Sequence, residues 1–156
     1  MMSRIYTLDI PHVHQIEDYG CGLACFRSLL KFSKVEEIVK ATNPMRTVRG
    51  IKPNELAKLA KAHKMYCQQG IFDLDRIRRH LELEHPIICP IQIGNPEESH
   101  NGHYIIVRGL TKSEVKVHDP SYGDGVYSRK SFLERWHDVD REGVEYKNYG
   151  IVIWKR

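Results

Sequence analysis

Near residue 86 the hydrophobic pattern of this chain changes its period. Ahead of that point apolar residues recur every three to four positions; beyond it they recur every second position. The first period builds helices that bury one stripe, and the second builds strands that bury one face. A chain that runs helices first and turn-linked strands afterwards is expected to form an α+β domain, with N-terminal helices packed on a C-terminal antiparallel β-sheet. At 156 residues one domain spanning 1–156 is expected, large enough to bury a real core.

In CGLACFRSLLKF, from Cys21, the residues Leu23, Phe26 and Leu30 share one stripe, with Cys25, Leu29 and Phe32 beside it. This spacing predicts a mostly buried helix of about three turns. Ser33 to Glu36 fits a capping box, with Val35, Ile38 and Val39 as a short second helix. Pro53 suits a first helical position, ahead of Leu56, Leu59 and Ala60. Asp73 or Asp75 is placed to cap a fourth helix that buries Leu74, Ile77 and Leu81. Then come strands: PIICPIQI (86–93), whose proline points to an edge or a bulge, HYIIVRG (103–109) and EVKVHD (114–119) as a hairpin pair, and YGIVIW (149–154). PSYGDG (120–125) reads as a turn-rich loop and SFLERW (131–136) as a short helix.

Several function classes are set aside on composition. The net charge of +4 comes from lysines and arginines scattered among acids, which describes a solvated surface and no nucleic-acid footprint. No run approaches the roughly 18 apolar residues of a membrane span, and the opening MMSRIYTLDIPH has no apolar core of a signal peptide. A cytoplasmic setting is therefore expected, in which four cysteines have no need of disulfides. Cys67 and Cys89 sit in apolar or mixed surroundings and are expected to be buried thiols. No C-x-x-C pair suggests a zinc knuckle.

Cys21 is different: it is framed by Gly20 and Gly22, and a helical pattern starts at once behind it. A helix N-terminus favours the thiolate, the form that acts as a nucleophile. The glycines allow a tight turn and close approach of a substrate. Cys25, one helical turn further on amid apolar residues, reads as a small core residue. If Cys21 is a nucleophile, the strands must supply its base. Pairing 103–109 with 114–119 around a turn near Thr111 puts His103 opposite Asp119. A register shift of two keeps both on one face as diagonal neighbours, because side chains alternate. That face also carries Ile105, Val107, Val115 and Val117. The other face carries Tyr104, Arg108, Lys116 and His118 and is expected to be solvated or half-exposed. The other histidines of the nine have no comparable setting. An imidazole takes the thiol proton and later gives it to a leaving group; a carboxylate holds the imidazole tautomer; an amide side chain joins a backbone N–H in holding the oxyanion. His103, Asp119 and Gln15, six residues ahead of Cys21, fit these roles in turn.

The stretches Q-I-E-D-Y-G-C-G-L-A-C, G-H-Y-I-I-V-R-G and V-K-V-H-D-P-S-Y-G resemble the bacteriocin-processing, double-glycine leader peptidases and their wider papain-like relatives. The resemblance spans nearly the whole chain in order and spacing. It implies a papain-like fold, Cys21 as nucleophile, His103 as base, Asp119 as its orienter and Gln15 in the oxyanion hole. The I-P-H-V-H-Q and C-G-L-A-C stretches also resemble eukaryotic proteins named for a guanylyl-cyclase-like domain, of the same superfamily. The family usually has Asp just before the cysteine; Gly20 stands there in this chain. Its leader peptidases are commonly the N-terminal domain of an exporter, and no exporter part is recognised in this sequence.

The expected activity is that of a cysteine peptidase acting on a peptide or protein, with no metal or organic cofactor implied and the oligomeric state left open. Its rivals are a deamidase or acyltransferase with the same triad, and a pseudoenzyme that grips a peptide without cutting it. A zinc site built from His100, His103 and nearby groups is a further alternative.

Overall fold

A computed structural model describes residues 7–15, 20–38, 50–140 and 142–156. Among these residues four helices, α1 (Cys21–Ser33), α2 (Pro53–Ala62), α3 (Leu74–Glu82) and α4 (Arg129–Arg135), accompany eight strands. The strands are β1 (Met65–Ile71), β2 (Ile87–Gln92), β3 (Gly102–Leu110), β4 (Glu114–Asp119), β5 (Gly123–Ser128), β6 (His137–Val139), β7 (Glu145–Lys147) and β8 (Tyr149–Lys155). Six form one sheet in the order β1-β8-β2-β3-β4-β5, with every neighbouring pair antiparallel, and β6 pairs with β7.

Helix α1 forms because its apolar spacing gives one continuous buried stripe: Cys25, Phe26, Leu29 and Leu30 all lie in the core. It ends at Lys34, which turns left-handed (φ 58°) and donates its N–H to the Leu30 and Lys31 carbonyls. That stop overturns the expected capping box. Ser33 is spent as the last residue of α1, and 35–38 are not helical. Val39 lies outside the described residues. Pro53 opens α2, and the Asp73 carboxylate caps α3 by accepting the Arg76 N–H at 2.7 Å.

Two strands have weak sequence patterns. In β1, Tyr66 and Ile71 are exposed and two glutamines interrupt the apolar alternation, so Cys67 is half-buried there rather than buried. In β5, GDGVYS follows the turn directly and reads as more loop until it pairs with β4 along its length. Pro90 lies in a central strand, against the expectation of an edge. The physical reason is local: β8 pairs with β2 only at Ile87 and Ile88, so the missing N–H of Pro90 falls beyond the end of that ladder.

The β3–β4 hairpin sets the geometry of everything that follows. Ile106 faces His118 and Val107 faces Val117, two residues out of the register that puts His103 opposite Asp119; a bulge between Val107 and Gly109 then shifts the pairing to Gly109 with Lys116. An even shift keeps parity, so His103 and Asp119 are diagonal neighbours on one face. On the other face Arg108 and Lys116 are half-buried, while Tyr104, Ile106 and His118 are buried against expectation. Tyr104 packs under α1 and Ile51, and the segment 7–15 is stitched along Arg108 and His118. Leu8 N–H donates to the Arg108 carbonyl at 2.8 Å, Arg108 Nε donates to the Leu8 carbonyl at 2.9 Å, and His12 Nδ1 meets His118 Nε2 at 3.0 Å.

One core joins these layers, with Phe26 and Leu29 of α1, Leu56 of α2, Ile77 of α3 and Phe132 of α4 packed with the buried isoleucines of β2, β3 and β8. Phe26→Ala should lower unfolding free energy by about 3–5 kcal/mol through loss of contacts and the cavity left behind. Asp73→Ala should cost only about 1 kcal/mol as a lost cap. Urea denaturation of both variants checks the difference.

Candidate active site

Cys21 is the first residue of α1, preceded by Gly20 as N-cap, which has no side chain to accept from the first-turn N–H groups. An Asp there would offer them a carboxylate; Gly20 offers none. Gly22 lets the first turn sit directly on β3, since a Cβ at that position would collide with Ile51 and press on the Tyr104 ring. The close approach brings the Tyr104 backbone N–H to 3.4 Å from the Cys21 sulfur.

His103 stands one residue before Tyr104 on β3. Its Nε2 donates to Asp119 Oδ1 at 2.8 Å, and its ring lines the same cleft as Cys21. With Nε2 committed to the carboxylate, Nδ1 is the nitrogen left for the thiol. Burial disfavours the imidazolium, yet the hydrogen bonds to Asp119 and Cys21 outweigh it and the His103 pKa is raised to about 9. Burial likewise works against the Asp119 carboxylate. The hydrogen bond and charge of His103, with the backbone N–H of Ser121 at 2.7 Å, hold it below the usual carboxylate range.

The other thiols differ sharply. Cys25 is fully buried, burial pushes its thiol pKa well up, and its S–H points to the Tyr104 carbonyl at 3.6 Å. Burial also raises Cys89 and, less deeply, Cys67. His118 faces away from His103, as parity requires, and is held between Asp124 (2.7 Å) and His12. His100 is exposed and pairs with Glu98 at 3.2 Å. Among the described residues no three His, Cys, Asp or Glu side chains converge to hold a metal ion.

Gln15 is brought to the same region by a different route. Its N–H donates to the Pro120 carbonyl at 3.1 Å and its Oε1 accepts from the Ser121 hydroxyl at 2.8 Å, so its described bonds run to the turn that follows Asp119. A cleft of about 590 Å³ opens at Cys21 and His103, and Gln15 and Asp119 are not among the residues lining it. The cleft is lined also by Asn101, Gly102 and Asp138, which the sequence reading missed, and buried Gln92 bonds to two of them. Gln92, fully buried, donates from Nε2 to Asp138 Oδ1 at 3.1 Å and accepts the Asn101 N–H on Oε1 at 3.0 Å. Asp138 lies where a Cβ on Gly102 would be, and burial raises its pKa. The available signals were a lone glutamine in the apolar run PIICPIQI and a glycine directly before His103.

The profile of the Peptidase C39 family matches residues 9–139, a span that holds all four of these side chains. The chain belongs to that family. Among solved structures it is similar to a double-glycine-motif protease from an AMS/PCAT transporter, in complex with its leader peptide (13% identity, 97% of this chain and 95% of that one covered, TM-score 0.70). It is similar also to the peptidase domain of Streptococcus mutans ComA (21%, 91% and 97%, 0.62) and to a protein from Bacillus anthracis named a C39-like peptidase (16%, 99% and 99%, 0.71). These likenesses establish the papain-like fold. No curated protein sequence matches the chain. Among the described residues no helix of this C39 peptidase chain is long and apolar enough to cross a membrane.

The raised His103 pKa has a consequence for stability. An imidazole at about 9 when folded, against 6.5 as its ordinary value, binds its proton more tightly in the native state. Its contribution is whole below about pH 6.5 and fades as pH rises through 9. Asp119, lowered on folding, contributes above its ordinary pKa and loses that contribution as the pH falls through the folded value. Urea midpoints measured from pH 6 to about 9.5 should therefore fall more steeply for the native chain than for His103→Ala.

Proposed function

We propose that the protein is a cysteine peptidase that cleaves an amide bond of a peptide or protein through Cys21, His103, Asp119 and Gln15. The observation that carries this reading is His103 held by Asp119 at 2.8 Å, with Cys21 beside it on the same cleft. The Cys21 sulfur attacks the carbonyl carbon as its proton passes to His103. The oxyanion so formed is held by the Cys21 backbone N–H and the Gln15 amide. His103, now carrying that proton, hands it to the leaving nitrogen as the C–N bond breaks. Water, deprotonated by His103, then attacks the thioester, releasing the new carboxylate and restoring the thiol. A peptide is the substrate class favoured by the family and by the cleft beside Cys21; the transporter protease cited above was solved with its leader peptide.

Iodoacetamide at limiting dose, followed by peptide mapping, should label Cys21 ahead of Cys25, Cys67 and Cys89. A peptide library scored by mass spectrometry should show new amine and carboxyl termini; release of ammonia without chain cleavage would instead mark a deamidase. Cys21→Ala and His103→Ala should each abolish cleavage, and Asp119→Ala should lower it strongly. The His103/Asp119 double variant should cost little beyond His103→Ala, since groups that act as one unit are not additive. Gln15→Ala should slow acylation about 10²–10³-fold. Cleavage that survives Cys21→Ala would remove the proposal.

A further inference from the structure

The turn after Asp119 touches two parts of the site at once. The Ser121 backbone N–H donates to Asp119 Oδ1 at 2.7 Å, and the Ser121 hydroxyl donates to Gln15 Oε1 at 2.8 Å. The main chain of Gln15 is tied to the same turn through its N–H and the Pro120 carbonyl, 3.1 Å. We propose that Ser121 is a positioning residue: its hydroxyl ties the Gln15 amide to the turn and holds the oxyanion donor in register with the Asp119–His103 pair. This deepens the reading given above and rests on Gln15 being that donor.

The physical need is specific. A primary amide has one accepting end and one donating end, and rotation by half a turn exchanges them with almost no change of shape. An oxyanion is served only by the NH₂ end. The hydroxyl pins the amide against the turn, and with Oε1 as the bonded atom Nε2 is the end turned away from Ser121. Donors contribute to acyl transfer to the extent that they are oriented before charge develops, and a glutamine tied to one turn by both its amide and its main chain needs little reorganisation. The same turn holds the Asp119 carboxylate, which in turn fixes the tautomer of His103. Because the carboxylate is served by the Ser121 main chain and the amide by its side chain, the two functions are separable by substitution.

The test compares two reactions of Cys21 that differ only in whether an oxyanion forms. Iodoacetamide is attacked at an sp³ carbon: the C–S bond forms as iodide leaves, and no oxyanion appears. With p-nitrophenyl acetate the sulfur adds to the carbonyl, an oxyanion forms and collapses, and p-nitrophenolate leaves as the acetyl thioester remains. Rates of both are measured on the full chain, with Cys21→Ala as the blank. Ser121→Ala and the isosteric pair Ser121→Val and Ser121→Thr isolate the hydroxyl, and any one folded hydroxyl-free variant suffices.

In Ser121→Ala or Ser121→Val the ratio of acylation to alkylation should fall on the order of tenfold, short of the 10²–10³ expected for loss of the donor itself. Ser121→Thr should restore it, and Ser121→Ala added to Gln15→Ala should cost nothing further. Alkylation and its pH profile should not change, since the N–H to Asp119 survives. An unchanged ratio in the hydroxyl-free variants, where Gln15→Ala does lower it, overturns the role of Ser121 and leaves the oxyanion reading standing. An unchanged ratio in Gln15→Ala overturns that reading and Ser121 with it. Equal loss of both reactions in Ser121→Ala would mean that Ser121 acts on the Asp119–His103 pair, which also overturns the proposal.

Discussion

The seating of the first turn of α1 on β3 is the contact on which the site depends. Gly22 has no Cβ, so the helix start reaches the Tyr104 ring and Ile51 without an intervening side chain. The distance thereby closed puts the Cys21 sulfur on the Tyr104 N–H and beside His103 on one cleft. Tyr104 is anchored at its far end, where its hydroxyl donates to the Ile51 carbonyl at 2.9 Å, and Cys25 meets its main-chain carbonyl from the next turn of the same helix. A substituent of even one carbon at position 22 acts on all of these contacts together, because interiors packed this closely transmit displacement instead of absorbing it.

Burial around that contact sharpens the electrostatics. Cys25 and Cys89 lie in surroundings that disfavour thiolate, whereas Cys21 opens onto a cleft and has a backbone N–H and an imidazole as neighbours. His103 and Asp119 are each penalised by burial, and each is compensated by the other. Removing one partner therefore leaves a buried group without its compensation, which costs more than the pair contributes when intact. A second imidazole–carboxylate pair, His118 with Asp124, sits on the opposite face of β4 and serves to hold His12 and the segment leading to Gln15. The two pairs are adjacent in sequence and separated in space by the pleat of the strand.

Helix α1, the Pro53 start of α2 and the Asp73 cap of α3 were legible because their signals are local: apolar spacing within one turn, a ring that suits a first helical position, a carboxylate reaching its own first turn. Strands β1 and β5 were not, since what makes them strands is pairing with β8 and β4, and their own alternation is broken by glutamine, glycine and exposed apolar residues. Pro90 misled for the same reason. Its residue type argues for an edge, but whether an N–H is needed there depends on how far β8 extends beside it.

At the site itself, the sequence alone determined which side chains share a face and which start a helix. Alternation along two strands joined by a short turn puts His103 with Asp119 and turns His118 away, and an even slip of register leaves that outcome untouched. Glycine, cysteine and an apolar period of 3.6 make Cys21 a helix start with no further information. Only the tertiary structure decided the two-residue slip and its bulge, the burial of His118 beside the segment 7–15, the carriage of Gln15 to the Pro120–Ser121 turn, and the Gln92–Asp138 pair beside Gly102. Each of these joins residues far apart in the chain through packing and hydrogen bonds. Which of many chemically equivalent partners a side chain meets is set by the positions of whole elements, and no local pattern encodes them.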